Sequence, residues 1–172
     1  HAFKAITKQH HLELRPQLEK FIPADGAVLD VGAHAGQFAK LFSSIASNGM
    51  VISIEPGSYA RSILRFALYF NQRKNIVVVP TALGAISGVE ILRLPQKRKG
   101  SYGFGLSHIA GVKNDLSERF DVVSDVVVSV RLDDLATKMN IERLDFIKAD
   151  IEGWEMRMIE GGLENIKRVR VV

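Results

Sequence analysis

The stretch VLDVGAHAGQFAKLF, residues 28–42, decides the fold. An apolar run ends at Asp30, the glycines Gly32 and Gly36 follow, and apolar residues then recur at helical spacing. This order predicts a strand over 27–31, a sharp turn and a helix over 36–47. Such a turn holds a phosphate, holds another nucleotide-like ligand, or lets the strand and the helix pack closely.

Strands and helices alternate along the rest of the chain, which favours an α/β fold with a doubly wound, mainly parallel sheet. Two of the strands have no clear helix between them and are expected to pair as a β-ribbon inserted after the third strand, with a Gly-rich basic loop over 96–111. We expect an N-terminal helical segment over 1–25 and one domain over 26–172. Further strands are predicted over 50–55, 75–80, 88–95, 126–132, 144–150 and 168–172, and helices over 11–21, 58–74, 132–140 and 153–161. In the helix over 58–74, Ser58 is the expected cap, and the residues expected to face inward are Ile63, Leu64, Phe66, Ala67 and Phe70.

The composition narrows the classes of protein and site. The 172 residues include no cysteine, which excludes disulfides, thiolate nucleophiles and cysteine zinc sites. No signal peptide and no apolar run of about 18 residues is visible, so we expect a cytoplasmic protein without a membrane span. None of the five histidines has the spacing of a metal site, so no obligatory metal is expected. A divalent cation held by Asp150, Glu152 and an outside ligand stays open.

The glycine turn fails both phosphate-binding patterns. A dinucleotide fingerprint starting at Gly32 needs glycines where His34 and Gln37 stand, and a P-loop needs a lysine that the turn does not contain. The remaining pattern is D-x-G-x-x-x-G. Its aspartate, Asp30, would repel a phosphate but suits a cationic ligand such as S-adenosylmethionine. Close packing of strand and helix remains the structural alternative.

A second acid supports a nucleotide-like ligand. Glu55 ends the predicted second strand, 23 residues after Gly32, near the spacing at which an acid accepts hydrogen bonds from ribose hydroxyls. Small residues at the end of the third strand, Thr81 and Ala82, would leave room for the adenine. A plain β-turn explains the sequence PTALG at 80–84 equally well.

A second group of ionisable residues follows the strand predicted over 144–150. Lys148 and Asp150 stand two positions apart, so both side chains point to the same face, and Glu152 follows at the strand end. Charged groups at a buried strand end are costly unless they function or pair. The structural alternative is a Lys148–Asp150 salt bridge with Glu152 favoured by a helix dipole.

At this point the sequence resembles the FkbM family of methyltransferases. The matching motifs are VLDVGAHAGQF, ISIEP, VVPTALG, RLDDL and LDFIKADIEGWEMRMIEGG, in the family's order from about residue 26 to the end. The resemblance implies a Rossmann-like class I fold, S-adenosylmethionine as cofactor and O-methylation of a hydroxyl on a sugar, glycan or natural product. The family fold carries two strands beyond the fifth, so a C-terminally truncated domain is one interpretation. By residue, the resemblance implies that Asp30, Gly32, His34 and Gly36 line the methionine end and that Glu55 binds the ribose. Together with their neighbours and the third strand end, the predicted cofactor-binding residues are Asp30, Gly32, Ala33, His34, Gly36, Phe38, Glu55, Pro56, Thr81 and Ala82.

The resemblance also places Asp150 and Glu152 near the reacting centre. A sugar hydroxyl is a poor nucleophile and benefits from a general base. Asp150 and Glu152 are the first candidates, and His108 in the 96–111 loop is the third because of its ordinary pKa range. The partner is expected to be a small-molecule or glycan acceptor. Two alternative functions stay open. The first is a nucleic-acid methyltransferase, which the turn ADIEG disfavours because it lacks proline. The second is a cofactor-binding fragment without turnover.

Overall fold

The computed structural model describes residues 2–96, 108–109 and 121–169, which form two four-stranded sheets flanked by helices. A 3₁₀ turn over Leu12–Leu14 precedes α2. The strands are β1 (Ala27–Val31), β2 (Met50–Ile54), β3 (Ile76–Val79), β4 (Ala82–Leu83), β5 (Gly88–Gln96), β6 (His108–Ile109), β7 (Asp121–Val130) and β8 (Phe146–Ala149). The helices are α1 (Ala2–Thr7), α2 (Arg15–Leu18), α3 (Gln37–Ile45), α4 (Ser58–Phe70), α5 (Leu132–Lys138), α6 (Glu155–Glu160) and α7 (Leu163–Ile166).

The first sheet is parallel, with the strand order β3-β2-β1-β8. Its strands are apolar on both faces because helices cover both sides, as is usual for a parallel sheet. Val28 and Val51 pack under α3, whereas Leu29 and Ile52 face the opposite core with Met158 of α6. The predicted doubly wound, Rossmann-like α/β architecture is confirmed.

The chain reverses direction across this sheet between β1 and β8. From β1 it runs outward through β2 and β3, and it later returns to place β8 on the other side of β1. The carboxyl ends of β1, β2 and β8 therefore meet at a topological switch point. Open α/β sheets bind their ligands at such a point.

The second sheet contains the predicted β-ribbon. β5 and β7 pair in antiparallel register from Gly88 opposite Ser129 to Gln96 opposite Asp121, while β4 and the short β6 complete the order β4-β7-β5-β6. This sheet lies beside the carboxyl end of the first sheet, since Leu83 of β4 belongs to the same core as Leu29. Of the predicted 96–111 loop, residues 97–107 and 110–111 lie outside the described residues.

Several local expectations are corrected. Phe66 and Phe70 of α4, expected to point inward, are 48% and 54% exposed, because the buried face of α4 carries Ala60, Ile63, Leu64, Ala67 and Leu68 instead. Ser58 does not cap α4, whose N-cap is Gly57. α1 lies within the segment predicted as helical over 1–25, although only the helix over 11–21 was placed there, and α7 was missed. Residues 168–169 of the predicted last strand are not in a strand, and residues 170–172 lie outside the described residues. Among the described residues, no helix has the length and apolar character needed to cross a bilayer.

Candidate active site

The turn after β1 requires glycine at position 32. Gly32 has φ +74°, and a Cβ built on it would collide with the carbonyl oxygen of Asp150 at the end of β8. The backbone N–H groups of Gly32 and Ala33 both donate to the carbonyl oxygen of Ile54, at 3.1 Å each. The turn is thereby fixed between the ends of β2 and β8.

Glu55, directly after β2, braces the same turn. One carboxylate oxygen accepts the backbone N–H of His34 at 2.8 Å, and the other accepts the backbone N–H of Gly57 at 2.8 Å. His34 has φ +48°, an uncommon conformation for a residue other than glycine, and the hydrogen bond from its N–H to Glu55 holds it there. A carboxylate has about four lone-pair sites, so Glu55 keeps acceptor capacity beyond these two bonds.

Lys148 of β8 contacts the carboxyl end of β1 and the turn that follows it. Its ammonium donates to the carbonyl oxygens of Gly32 at 3.0 Å and Val31 at 3.3 Å. It lies 3.4 Å from a carboxylate oxygen of Asp30 and 3.8 Å from one of Asp150. The Lys148–Asp150 salt bridge considered from the sequence is therefore present, but the shorter ion pair joins Lys148 to Asp30.

Asp30 is fully buried, and neither of its carboxylate oxygens has a hydrogen-bond partner among the described residues. Loss of hydration raises the pKa of this carboxyl above its ordinary value, and the neighbouring Lys148 ammonium opposes that rise without cancelling it. The native state therefore binds the Asp30 proton more tightly than the unfolded chain does. The stability that this proton contributes is present at low pH and is lost as the pH rises through the raised pKa.

An Asp30→Asn variant tests this sign. We expect the free energy of unfolding of the wild type, minus that of the variant, to decrease as the pH is raised from about 4. Urea unfolding of both proteins at a series of pH values measures the difference, and effects common to both proteins cancel in it. A difference that grows with pH would show that the ion pair with Lys148 outweighs the loss of hydration.

A cleft opens where these strand ends meet the second sheet. Its polar floor is formed by Gly32, His34, Glu55 and Asp150. Its free volume is about 60 Å³, well below the roughly 300–1,000 Å³ of a typical ligand pocket. The cleft in this conformation is therefore narrow. The apolar walls, which the sequence analysis missed, come from Tyr59 and Ala60 of α4, from Leu83, Leu92, Leu94 and Ile109 of the second sheet, and from Ile151 and Trp154 after β8.

Trp154 is the most informative of the missed residues. Its indole Nε1 is buried and has no hydrogen-bond partner among the described residues, although buried indole N–H groups usually have one. Trp154 also packs against the cluster formed by Ala82, Leu92, Ile109 and Val127. A tryptophan shortly after a strand end could have been suspected from the sequence, but its partner strands could not.

Six of the predicted cofactor-binding and catalytic residues line this cleft. Glu152 lines an adjoining pocket, and the side chain of His108 lies outside the described residues. Five predicted binding residues do not line the cleft. Asp30 forms an ion pair with Lys148, and Ala33 is part of a buried apolar cluster. Gly36 is the N-cap of α3 and packs on Leu64, Phe38 stacks on His11, and Thr81 donates a hydrogen bond to the Val128 carbonyl oxygen. The six that line the cleft are Gly32, His34, Glu55, Pro56, Ala82 and Asp150.

The adjoining pocket extends the cleft toward α1. It has a free volume of about 320 Å³ and shares His34, Ala60 and Asp150 with the cleft. Glu152 lies at its edge in a positive-φ conformation, φ +55°, and its carboxylate makes no hydrogen bond or ion pair within the described residues. Asp150 and Glu152 thus face a space next to the cleft. Within the described ranges, no group of three or more His, Asp or Glu side chains could hold a metal ion.

A parallel sheet with a glycine turn after the first strand and an acid after the second defines the Rossmann-like class to which many methyltransferases belong. The model of the methyltransferase FkbM domain matches residues 30–172, so the chain belongs to this family of methyltransferases.

Two curated proteins are similar to this chain. The 2-O-methyltransferase NoeI of Sinorhizobium fredii is 29% identical over 167 residues, which cover 94% of this chain and 66% of NoeI. The AMB antimetabolite synthetase AmbE of Pseudomonas aeruginosa is 23% identical over 164 residues, which cover 81% of this chain and 8% of AmbE. The chain therefore spans less than two thirds of either relative.

Solved structures match a smaller part of the chain. A precorrin-6y C5,15-methyltransferase from Geobacter metallireducens is 24% identical, with a TM-score of 0.36 over 44% of this chain and 40% of that one. The fold assignment rests on the sheet topology and on the family instead.

Proposed function

We propose that the chain is an S-adenosylmethionine-dependent O-methyltransferase that uses the cleft at the ends of β1, β2 and β8. The observation that carries the proposal is the convergence of the Gly32 turn, the Glu55 carboxylate and the Asp150 carboxylate at the switch point of the sheet. Family membership supports methyl transfer, and the chemistry of the cleft supports the cofactor.

The residues of the cleft fit S-adenosylmethionine group by group. Glu55 has free lone pairs for the ribose hydroxyls, and Gly32 lets the backbone approach the methionine part. The apolar walls suit the adenine ring, and the unpaired Nε1–H of Trp154 is a donor that a ligand acceptor atom would satisfy. The carboxylates on the floor favour a cationic ligand over a phosphate.

The cleft is too narrow for S-adenosylmethionine to bind without a change in its walls. Leu92 and Ile109 of the second sheet face Gly57 and Ala60 across it. These walls must separate for a ligand of this size to enter, so the cofactor is expected to bind with a change in the position of the β5–β6 edge relative to α4. Such changes in one wall of a site are common for enzymes that exclude water from methyl or phosphoryl transfer.

When bound, S-adenosylmethionine supplies a methyl group on a positively charged sulfur. The chain's own work is to align the acceptor hydroxyl in line with that group and to remove its proton. Asp150, which lines both the cleft and the adjoining pocket, is the proposed acceptor of the proton. The Lys148 ammonium lies 3.8 Å from the Asp150 carboxylate. Glu152 and His108 remain the further candidates for the base.

A Glu55→Ala variant tests the cofactor site. Loss of the hydrogen bonds to the ribose is expected to weaken S-adenosylmethionine binding by about 1.5–3 kcal/mol, which is about tenfold or more. Isothermal titration calorimetry measures the affinity. Because Glu55 also braces His34 and Gly57, the melting temperature of each variant is measured beside it. Glu142→Ala, which removes an exposed carboxylate far from the cleft, is the matched control. Unchanged affinity for S-adenosylmethionine in Glu55→Ala would contradict the assignment of Glu55 to the cofactor site.

The acceptor is proposed to be a hydroxyl on a sugar, glycan or natural product. Support comes from the two carboxylates at the adjoining pocket, which accept hydrogen bonds from hydroxyl groups, and from the similarity to NoeI, whose name describes O-methylation. A methyl-donor assay against sugars, glycolipids and RNA tests this class. Cofactor binding without turnover on any of them would favour a binding protein, and turnover on RNA alone would favour the nucleic-acid alternative.

A further inference from the structure

The outer face of α4 carries an exposed aromatic patch. Phe66, Tyr69 and Phe70 are 48%, 79% and 54% exposed, and they follow one another at helical spacing on the face opposite the core. The ring of Phe70 packs edge-on against Phe66 at 4.6 Å and against Tyr69 at 5.4 Å between centroids. A clustered patch of large apolar side chains on a surface usually marks an interaction site.

Basic residues border this patch. No Asp or Glu occurs from residue 56 to residue 89. Arg65 and Lys74 are exposed, Arg73 is half-buried, and none of the three forms an ion pair within the described residues. By contrast, Arg143 and Arg157 elsewhere on the surface lie close to carboxylates. The surface around the C-terminal half of α4 is therefore positively charged, whereas Asp125 of β7 lies at the start of the helix, where it accepts a hydrogen bond from Ser58.

α1 lies beside α4. It packs on α4 through Ala5 against Ile63 and Ala67, and Asn71 donates to the carbonyl oxygen of Ile6 at 3.2 Å. Phe3 of α1 is 76% exposed. No acidic residue occurs from residue 1 to residue 12, where Lys8 adds a further cation, whereas Lys4 lines the adjoining pocket.

We propose that the face formed by α1 and the outer side of α4 docks on a lipid bilayer that contains anionic lipids. Phenylalanine side chains have no hydrogen-bonding group and lower their free energy by entering the boundary of the acyl region, while lysine and arginine bind the anionic headgroups. A nucleic acid is disfavoured because the rings pack edge-to-face on one another instead of presenting separate stacking faces. The proposal does not rest on the methyl-transfer function.

The geometry gives this docking a consequence for the cleft. Tyr59 and Ala60 at the start of α4 line the cleft, and Phe70 ends the same helix. At about 1.5 Å per residue, the aromatic patch lies roughly 10–15 Å from the cleft along the helix. The cleft would then lie close to the membrane surface, where a lipid-linked acceptor is concentrated.

Vesicle co-sedimentation of the 172-residue chain tests the proposal. We expect binding to vesicles of phosphatidylcholine with one quarter phosphatidylglycerol, little binding to pure phosphatidylcholine, and release by high salt. The variants Phe66→Ser/Phe70→Ser and Arg65→Glu/Lys74→Glu are each expected to lower the partition coefficient about tenfold or more. The matched controls are Ile86→Ser, another exposed apolar residue, and Lys20→Glu/Lys138→Glu, which changes the net charge equally.

Each outcome decides the proposal. Reduced binding in both α4 variants but in neither control supports it, provided that melting temperatures show all proteins folded. Absence of vesicle binding by the wild type overturns it, as does equal loss in the controls, since that would indicate net charge alone. Binding of single-stranded RNA through the same residues without vesicle binding, or dimerisation through this face detected by light scattering, also overturns it.

Discussion

Replacing Gly32 with valine is expected to destroy the site and to destabilise the fold by about 3 kcal/mol or more, the sum of a strained backbone and an overpacked neighbour. Gly32 has φ +74°, which a β-branched residue strongly disfavours. Its Cβ would also meet the backbone oxygen of Asp150, which cannot move without disturbing β8. Chemical unfolding measures the stability, and calorimetry with S-adenosylmethionine measures the binding.

Gly88→Val is the control for the effect of adding a branched side chain. Gly88 begins β5, has no positive φ, and has no atom within 4 Å of a built Cβ. Valine suits a strand, so this variant should keep its stability and its cofactor affinity. If Gly32→Val were as stable as Gly88→Val and still bound the cofactor, the turn after β1 would not be the constraint that its geometry indicates.

The first sheet could be predicted because its signals are local. The apolar run before Asp30 and the glycines after it predict β1, the turn and α3 within a few residues of their observed bounds. The same holds for β2 and for the position of Glu55 at its carboxyl end, since both depend only on neighbouring residues. The pairing of 88–95 with 126–132 also followed from the absence of a helix between two β-branched runs.

The side-chain environment could not be predicted, because it depends on which elements meet. Nothing near Asp30 in the sequence shows that the ammonium of Lys148, more than a hundred residues later, lies close to its carboxylate. Nor does it show that neither side chain lines the cleft. Nor does the sequence show that Leu92 and Ile109 form the wall opposite α4. Phe66 and Phe70 were misassigned because hydrophobicity alone does not distinguish a core face from an exposed apolar patch.

An Asp150→Asn variant is expected to lower turnover by roughly 10²–10⁴-fold, the usual effect of losing a general base. Asp150 is 60% exposed and lies at the border between the cleft and the adjoining pocket, where an acceptor would meet the cofactor. Asparagine keeps the shape but cannot accept the hydroxyl proton. S-adenosylmethionine affinity should change much less than the rate. Turnover is measured at saturating cofactor with the acceptor that the panel identifies.

A purely structural role for Asp150, as an ion-pair partner of Lys148, predicts a different result. The Asp150 carboxylate is 60% exposed, and the shorter contact of Lys148 is with Asp30. Ion pairs with an exposed partner contribute about 0–1 kcal/mol, so the melting temperature of Asp150→Asn should barely change. Asp134 is a matched control, because it is 55% exposed and lies 3.8 Å from Arg131 on α5, away from the cleft. Asp134→Asn should retain full turnover. If Asp150→Asn were equally active, the proton would have to go to Glu152, whose carboxylate faces the same pocket, or to His108.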